Sequence, residues 1–486
     1  GSEMCIRDRD GGQDLRWARD SESLNWVFAN VLYRLELGDV FGADAPEDGV
    51  DQRAAALPIA LTVEKPRPRG TVALVGGRAI TMRGDEVIED ATVVVTDNRI
   101  TAVGPTGSFT IPEGARTLDV SGKTIIPGLI DAHAHIRGMP RDVLVDIAPE
   151  PLVNLAFGVT MARDVNASTD QFHYRELIEA GRMLGPRIFM TGPSQTSRAV
   201  RIGSFADAFA GVKRYADRGS FSIKQYLQPQ RRQMQWMLQA ADSLGLNATD
   251  EGGGVMRQVA MILDGYTAVE HAPTSWANIY EDVAQLYARS GTMYVPTLVV
   301  AAPDVYQGEL YWYQTTDVHA DEKLGHFLTH AALDHKSRTS QRYSEDEYFF
   351  LSGSGGAVDV AEAGGLVAAG GHGQIHGLAV HWELWMLEMQ GMAPHEVLRA
   401  GTLNVARGMG MEADFGSLEP GKVADLLILD ADPLDSIRNT TSIDRVMKGG
   451  ALYDGDTLDQ VWPVERPLPE FKYADFGPPS GEGAGR

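Results

Sequence analysis

The sequence predicts an α/β protein made of a (β/α)8 TIM-like barrel, a small composite β-sandwich and a short N-terminal propeller-like β unit. Between residues 128 and 411, eight short apolar strands alternate with amphipathic helical patterns, which is typical of a (β/α)8 barrel. Runs of β-branched residues on both sides of this region share one strand-and-turn pattern, so two β segments can complete one domain. The 486 residues suffice for a large barrel and a smaller domain.

Residues 10–40 alternate turns with short aromatic strands, as one propeller-type hairpin unit does. Because one such unit cannot bury its own faces, an extended arm lying on the next domain is the alternative interpretation. The predicted boundaries are 1–41 for the propeller-like remnant with an artefact N-terminus, 42–69 for a linker, 70–127 and 412–455 for the two parts of the β-sandwich, 128–411 for the barrel with an insertion at 301–356, and 456–486 for a tail.

Composition limits the partners of the chain. Acidic residues number 66 against 43 basic ones, which argues against a nucleic acid or an anionic membrane as partner. No stretch reaches the roughly 18–20 apolar residues of a membrane span, and the first residues lack the apolar core of a signal peptide. The single Cys5 excludes an internal disulfide framework. We expect a small-molecule substrate; a homo-oligomer is open, as is the compartment, whether periplasm, secretion or cytoplasm.

Two histidines mark the end of the first barrel strand, in "GLIDAHAHIRG". His133 and His135 lie two residues apart, so both side chains face the same side of an extended strand. Neutral imidazoles at this spacing can hold a divalent metal, although two core histidines would show the same spacing. Asp131 points to the same side and is expected to orient one ligand.

Other strand ends carry further candidates: Lys224, Glu251, His271 and His372. The carboxyl ends of barrel strands hold the active site, so these groups are expected to meet. Lys224 stands in the apolar strand "FSIKQY", where an unpaired charge is costly to bury. Either a carboxylate partner or reaction with CO2 to give a carbamate would relieve that cost.

Several motifs together resemble one family. They are "GLIDAHAH", the lysine of strand four, "EHA" on strand six and "GSLEPGKVADLLILD" after the barrel. This set resembles the amidohydrolase superfamily and, more narrowly, the imidazolonepropionase-like amidohydrolases fused behind a TolB-like propeller. The resemblance covers about residues 10–455.

The resemblance implies roles for four of these residues. His133 and His135 match the ligands of a buried metal. Lys224 matches a carboxylated lysine that bridges two metals and takes part in catalysis, and His271 matches a ligand of the second metal. The expected cofactor is one or two divalent ions, with Zn first and Mn, Fe or Mg as alternatives.

The sequence departs from the family pattern at two strand ends. Glu251 replaces the usual histidine of strand five, and a carboxylate remains an acceptable ligand. His372 stands where an aspartate usually binds metal and accepts a proton from the attacking water. We therefore predict His372 to be a metal ligand, the general base, or both.

Residues around this site have weaker assignments. Tyr311, Trp312 and Tyr313 of the insertion are predicted either to close over the substrate or to form a contact surface. His376 and His381 are alternative bases near the substrate. His381 precedes an amphipathic pattern and is interpreted as a helix-start residue.

These residues predict a metal-dependent hydrolase that cleaves an amide-type C–N bond, non-peptide or cyclic, of a small molecule by a metal-activated water. A Xaa-Pro-type dipeptidase or a lactone or ester hydrolase is the alternative, since the same chemistry attacks any activated carbonyl. A different class stays open as well: a catalytically degenerate scaffold that binds metal or ligand without turnover.

Overall fold

The computed structural model describes most of the chain, and the account below is restricted to those residues. They are 12–38, 54–59, 61–136, 145–169, 171–196, 201–273, 279–301, 307–339, 342–344, 347–348 and 350–470. The predicted artefact N-terminus before residue 12, Cys5 included, and the tail from residue 471 onward lie outside the described residues.

The described strands, in chain order, are β1 (Gln13–Trp17), β2 (Ser23–Phe28), β3 (Val31–Glu36), β4 (Ala55–Pro58), β5 (Thr71–Ile80), β6 (Val87–Thr96), β7 (Arg99–Pro105), β8 (Arg116–Asp119), β9 (Thr124–Pro127), β10 (Leu129–Ala134), β11 (Val159–Asp164), β12 (Arg187–Met190), β13 (Gln195–Thr196), β14 (Ser222–Tyr226), β15 (Asn247–Asp250), β16 (Ala268–Glu270), β17 (Met293–Val295), β18 (Leu426–Leu429), β19 (Ile443–Lys448), β20 (Ala451–Asp454) and β21 (Gln460–Trp462).

The described helices are α1 (Pro149–Ala156), α2 (Gln171–Glu179), α3 (Phe205–Asp217), α4 (Arg231–Ser243), α5 (Val255–Asp264), α6 (Glu281–Ser290), α7 (Gln307–Thr315), α8 (Glu322–Phe327), α9 (His330–Ser337), α10 (Phe350–Glu362), α11 (Leu378–Met389), α12 (Pro394–Ala400) and α13 (Leu403–Gly408). Short 3-10 turns cover Leu298–Val300 and Ile437–Thr441.

The N-terminal unit is a four-stranded antiparallel sheet in the order β1-β2-β3-β4. Its fourth strand falls inside residues 42–69, so the interpretation of that whole segment as a linker is wrong: Ala55–Pro58 pairs with β3. The sheet lies against the end of helix α3, because the guanidinium groups of Arg214 and Arg218 stand 5.0 and 4.8 Å from the centre of the Phe28 ring. Such cation–π contacts attach the unit to its neighbour.

The composite β domain joins the two segments predicted from their shared pattern. Its nine strands form one sheet in the order β21-β20-β19-β18-β9-β5-β6-β7, with β8 pairing β5. The antiparallel pair of β18 and β9 makes the connection, and a bridge between Arg99 and Val423 brings β7 back to the start of β18. The two segments therefore share one nine-stranded sheet and one apolar core. Because β21 lies at 460–462, the domain extends beyond the predicted boundary at 455.

Parallel strands build the central α/β domain. One sheet holds β10-β11-β12 and another holds β13-β14-β15-β16-β17. The Phe221 amide donates to the Met190 carbonyl at 3.0 Å and links the two sheets. On the other side, Ala368 donates to Tyr294 of β17, and Ala132 of β10 donates to Ala369, both at 2.9 Å. The segment 366–369 thus stands between β17 and β10, where the eighth strand was predicted.

Helix α11 is the apolar centre around which the insertion packs. Its residues from Leu378 to Leu387 are all buried, as expected of a helix that is hydrophobic on all sides. Trp312 of α7 is 2% exposed and stacks on Trp382 with ring centroids 5.8 Å apart. The insertion 301–356, where it is described, is therefore attached to the core by aromatic contacts.

His381 lies in the first turn of α11, in agreement with the helix-start interpretation. Its Nδ1 and Nε2 atoms each lie 2.9 Å from an oxygen, the Thr440 hydroxyl and the Phe157 carbonyl respectively. Burial lowers the pKa of His381 to about 4, so the ring is neutral and structural. Among all the described helices, none has both the length and the apolar character to cross a bilayer.

Truncation of a side chain in the composite β core should destabilise the protein. Leu74 is 0% exposed in β5, so we expect Leu74→Ala to lower the free energy of unfolding by about 2–5 kcal/mol through lost burial and a cavity. Leu263→Ala is the matched control, because Leu263 is 65% exposed and should change stability by less than about 0.5 kcal/mol. Urea unfolding measures both; equal effects would contradict this account of the core.

Candidate active site and metal centre

Three histidines converge at the carboxyl end of β10. His133, His135 and His372 each offer a ring nitrogen, and these atoms all lie within 4.8 Å of one another. The ring of His271 also stands close, with its centroid 4.8 Å from that of His133. Imidazoles at such spacing suit a divalent ion such as Zn²⁺, which is bound through neutral ring nitrogens.

Backbone contacts place His372 beside the first strand. Its amide donates to the His133 carbonyl at 2.7 Å, although its φ of 55° lies in the left-handed region. The two segments come still closer at Gly370, two residues before His372, since a Cβ added to Gly370 would lie 2.6 Å from the His133 Cβ. Glycine at 370 thus permits the close approach that brings His372 to the other rings.

Asp131 acts on the backbone rather than on a ring. Its Oδ1 accepts hydrogen bonds from the amides of His133 at 2.9 Å and Gly371 at 3.0 Å. Burial raises the pKa of Asp131 to about 6, against the opposing effect of these two bonds. The residue predicted to orient a ligand therefore ties β10 to the segment that carries His372.

A carboxylate that the sequence did not single out orients the ring of His133. The His133 Nδ1 lies 2.7 Å from Oε2 of Glu270, whose other oxygen contacts Arg163 and Thr249. Since a carboxylate only accepts, Nδ1 carries the proton, and the buried Nε2, without a partner among the described residues, keeps its lone pair. Burial and then the charge of Lys224 hold the pKa of His133 well below its ordinary value. This carboxylate–imidazole pair is typical of metal ligands.

Lys224, Glu251 and His271 form the second half of the site. The Lys224 Nζ lies 2.6 Å from Oε2 of Glu251, and the His271 Nε2 lies 3.5 Å from its Oε1. The carboxylate partner was one of the two alternatives for relieving the buried charge. Burial alone would raise the pKa of Glu251, but the charge of Lys224, together with His271 when its ring is protonated, outweighs burial and lowers that pKa to about 2.

The loop after β15 requires glycine where it crosses β16. Gly252 has φ 83°, and a Cβ added there would overlap the Glu270 carbonyl oxygen. Its amide donates to Oδ2 of Asp250 at 2.9 Å, and Asp250 in turn pairs with Arg257 at 3.0 Å. These contacts fix the position of Glu251 against the end of β16.

The remaining predicted residues have contacts of their own, and the ring contacts of the two tyrosines lie outside the histidine centre. His376 pairs with Glu150 at 3.1 Å between Nε2 and Oε2. Tyr311 stands edge-on to Tyr348 and Tyr313 edge-on to Trp382, with centroids 5.3 and 5.8 Å apart.

The structure adds one contact of the insertion that the sequence did not indicate. Lys336 of α9 donates to the Gly373 carbonyl at 3.2 Å. The insertion therefore touches the segment that carries His372, while the role of its tyrosines over a substrate stays a prediction.

Comparison with known proteins supports the amidohydrolase superfamily. The family model described as Amidohydrolase family matches residues 345–453. The chain is 44% identical to imidazolonepropionase of Rhizobium rhizogenes over 54 residues, 11% of this chain and 13% of that protein. It is 21% identical to adenine deaminase 3 of Rhizobium meliloti over 365 residues, 72% of this chain and 53% of that protein. With imidazolonepropionase of Symbiobacterium thermophilum the identity is 23%, covering 75% of this chain and 91% of that protein.

Solved structures share the fold. A Xaa-Pro dipeptidase with bound methionine in its active site aligns with a TM-score of 0.62 at 20% identity, over 79% of this chain and 100% of that chain. Molinate hydrolase aligns with a TM-score of 0.61 at 20% identity, over 83% and 99%. Against the first two curated relatives, the matches span only 13% and 53% of their lengths. At these identities the solved structures define the fold alone.

Gly252→Ala should damage the site, while Gly245→Ala should not. Both residues have positive φ, 83° and 68°, but a Cβ at Gly245 meets nothing within 4 Å. The alanine at 252 must displace the loop that carries Glu251, so we expect weaker metal binding and lower activity for that variant only. Competition with a chelator measures the metal affinity. Unchanged metal affinity in Gly252→Ala would show that metal binding does not depend on the position of this loop.

Glu270→Gln should weaken metal binding about 10–100-fold. Arg163 and Thr249 both need an acceptor, so the amide oxygen faces them and the amide NH2 faces His133 Nδ1. That arrangement places the ring proton on Nε2 and removes its lone pair from the site. Glu89→Gln is the control, since the Glu89 side chain is 75% exposed. Calorimetric titration with Zn²⁺ compares the variants, and equal affinities would refute the assigned tautomer.

Proposed function

We propose that the protein is a metal-dependent hydrolase that cleaves an amide-type C–N bond of a small molecule. The observation that carries this proposal is the convergence of His133, His135 and His372, with the Nδ1 of His133 held by Glu270. The family match at 345–453 and the relatives named imidazolonepropionase and adenine deaminase support a hydrolase acting on C–N bonds.

The donor set fits a divalent metal. His133, His135 and His372 would hold one ion, and the buried Nε2 of His133 supplies a lone pair that no other described residue uses. His271 and Glu251 would hold a second ion. We propose that Lys224, when released from Glu251, would react with CO2 and lose a proton to give a carbamate whose oxygens would offer further ligands to the ions. Zn is the first choice of ion, with Mn, Fe or Mg as alternatives. A bound metal lowers the pKa of water and polarises the scissile carbonyl.

The protein's own residues would then position and move protons. His372 would either hold the ion or, when its ring lone pair is not bound to metal, accept the proton of the attacking water and pass it to the leaving nitrogen. The amide of Gln374 lies 3.3 Å from the His372 Nδ1 and steadies the ring. His376, paired with Glu150, would line the substrate side, and Tyr311 and Tyr313 would limit access of water if the insertion closes over the substrate.

The proposal extends to the architecture. The bonds from 366–369 to β17 and β10, together with the link from Phe221 to Met190, support a closed barrel of eight strand positions: β10–β12, β14–β17 and 366–369, with the two-residue β13 not counted. The four strands β1–β4 support one blade of a TolB-type propeller. The burial of His133 and His135 supports a small-molecule substrate.

Metal counting and hydrolysis test this function together. We expect about one or two equivalents of metal per chain, and turnover of at least one class among N-acyl amino acids, cyclic amides, Xaa-Pro dipeptides and lactones. His133→Ala should lose metal and turnover, whereas His330→Asn, an exposed residue of α9, should lose neither. Turnover of Xaa-Pro dipeptides or lactones alone would select the alternative hydrolases. Metal binding without any turnover would favour the scaffold, and full activity in metal-free His133→Ala would overturn the proposal.

A further inference from the structure

The turn after β17 holds His271 from a strained position. Thr297, which begins the 3-10 turn Leu298–Val300, has φ 46°. A β-branched residue is an outlier in this left-handed region, so neighbouring contacts must hold it there. His271 itself has φ 67°. Its amide donates to the Val295 carbonyl at 2.7 Å, so the two strained residues belong to adjacent strand ends.

Thr297 fixes the tautomer of His271. The Thr297 hydroxyl donates to the Pro296 carbonyl at 2.8 Å and lies 2.6 Å from the His271 Nδ1. A hydroxyl has one proton to give, so towards the ring it acts as acceptor and Nδ1 carries the hydrogen. The lone pair of His271 is thereby left on Nε2, the atom that faces Glu251.

Two elements clamp this turn from different sides. The Val299 amide donates to Oε2 of Glu383 at 3.1 Å, and Glu383 lies fully buried on α11. From the insertion, α7 approaches so closely that a Cβ on Gly308 would lie 2.8 Å from the Val299 Cα. Partial positive charge on the free amides at the start of a turn attracts a carboxyl oxygen.

Packing alone does not explain the buried carboxyl of Glu383. Its Oε1 is buried without a hydrogen-bond partner among the described residues, which is costly for a polar atom. Burial raises the pKa of Glu383 to about 8, although hydrogen bonds from the backbone amides of Leu298 and Val299 act to lower it. An aliphatic residue would avoid this cost but would leave the amide of Val299 unpaired.

We propose that Glu383 is a positioning residue for His271, acting through the turn 298–300 and Thr297. Glu383 is not among the donors of the proposed metal centre; it holds the turn that presents the Thr297 hydroxyl to the ring. This inference rests on the proposed function only where it treats His271 as a metal ligand.

Three variants separate positioning from stability. Glu383→Gln keeps one carbonyl oxygen for the Val299 amide, whereas Glu383→Leu removes the acceptor and keeps similar volume. Glu388→Gln is the matched control, because Glu388 lies on the same helix and is partly exposed. Circular dichroism verifies that each variant is folded.

The first readout needs no metal. Hydrogen exchange in the metal-free protein should be roughly tenfold faster for the amides of residues 297–301 in Glu383→Leu than in the parent. The rate should be near that of the parent in Glu383→Gln and in Glu388→Gln. Unchanged exchange in Glu383→Leu would overturn the inference, whatever the enzyme's activity.

The second readout follows His271 as a ligand of the metal. After loading with Co²⁺, Glu383→Leu should lose the equivalent bound through His271 and change the visible absorption of the ion, with recovery in Glu383→Gln. Loss of that equivalent in all three variants would contradict a specific role for Glu383. Should the parent bind no Co²⁺, the proposed function fails, while the exchange result still decides whether Glu383 holds the turn.

Discussion

The hydrogen bond from the His372 amide to the His133 carbonyl is the contact on which the site depends. It joins β10, the first strand of the central domain, to the segment that follows residues 366–369 and carries His372. Asp131 reinforces the same junction by accepting from the amides of His133 and Gly371. Without this junction, His372 would not reach the rings of His133 and His135, and the three-histidine group would lack one of its members.

The buried charges of the site are paired in a way that orients ring nitrogens. Arg163 and Glu270 form a buried ion pair, and the second oxygen of Glu270 accepts from the His133 ring. Buried pairs of this kind contribute little net stability, because desolvation offsets their attraction. Their effect here is geometric: the proton sits on Nδ1 and the lone pair of Nε2 points into the site. Glu251 connects Lys224 to His271 at the other side of the centre.

The insertion contacts helix α11 and the segment that carries His372. Trp312 is packed between Trp382 and Trp385 of α11, with ring centroids 5.8 and 5.5 Å away, and the same helix carries Glu383. Lys336 reaches the carbonyl of Gly373, next to His372. The insertion therefore contacts both the turn after β17, through Gly308, and the segment that carries His372, through Lys336.

Local pattern in the sequence determined the alternation of strands and helices, the pairing of two distant β segments and the strand-end positions of His133, His135, Lys224, Glu251, His271 and His372. These follow from periodicity and from the rule that parallel strands end at one edge.

The sequence pattern did not reveal β4, since four residues in an apparent linker become a strand only by pairing with β3. The pattern also did not single out Glu270 and Glu383, because the role of a carboxylate within an apolar run cannot be assigned until its partner is known. Tertiary structure alone decided that Asp131 binds amides, that Lys224 meets Glu251 and which nitrogen of the His133 and His271 rings carries the proton, because hydrogen-bond partners from distant parts of the chain set those states.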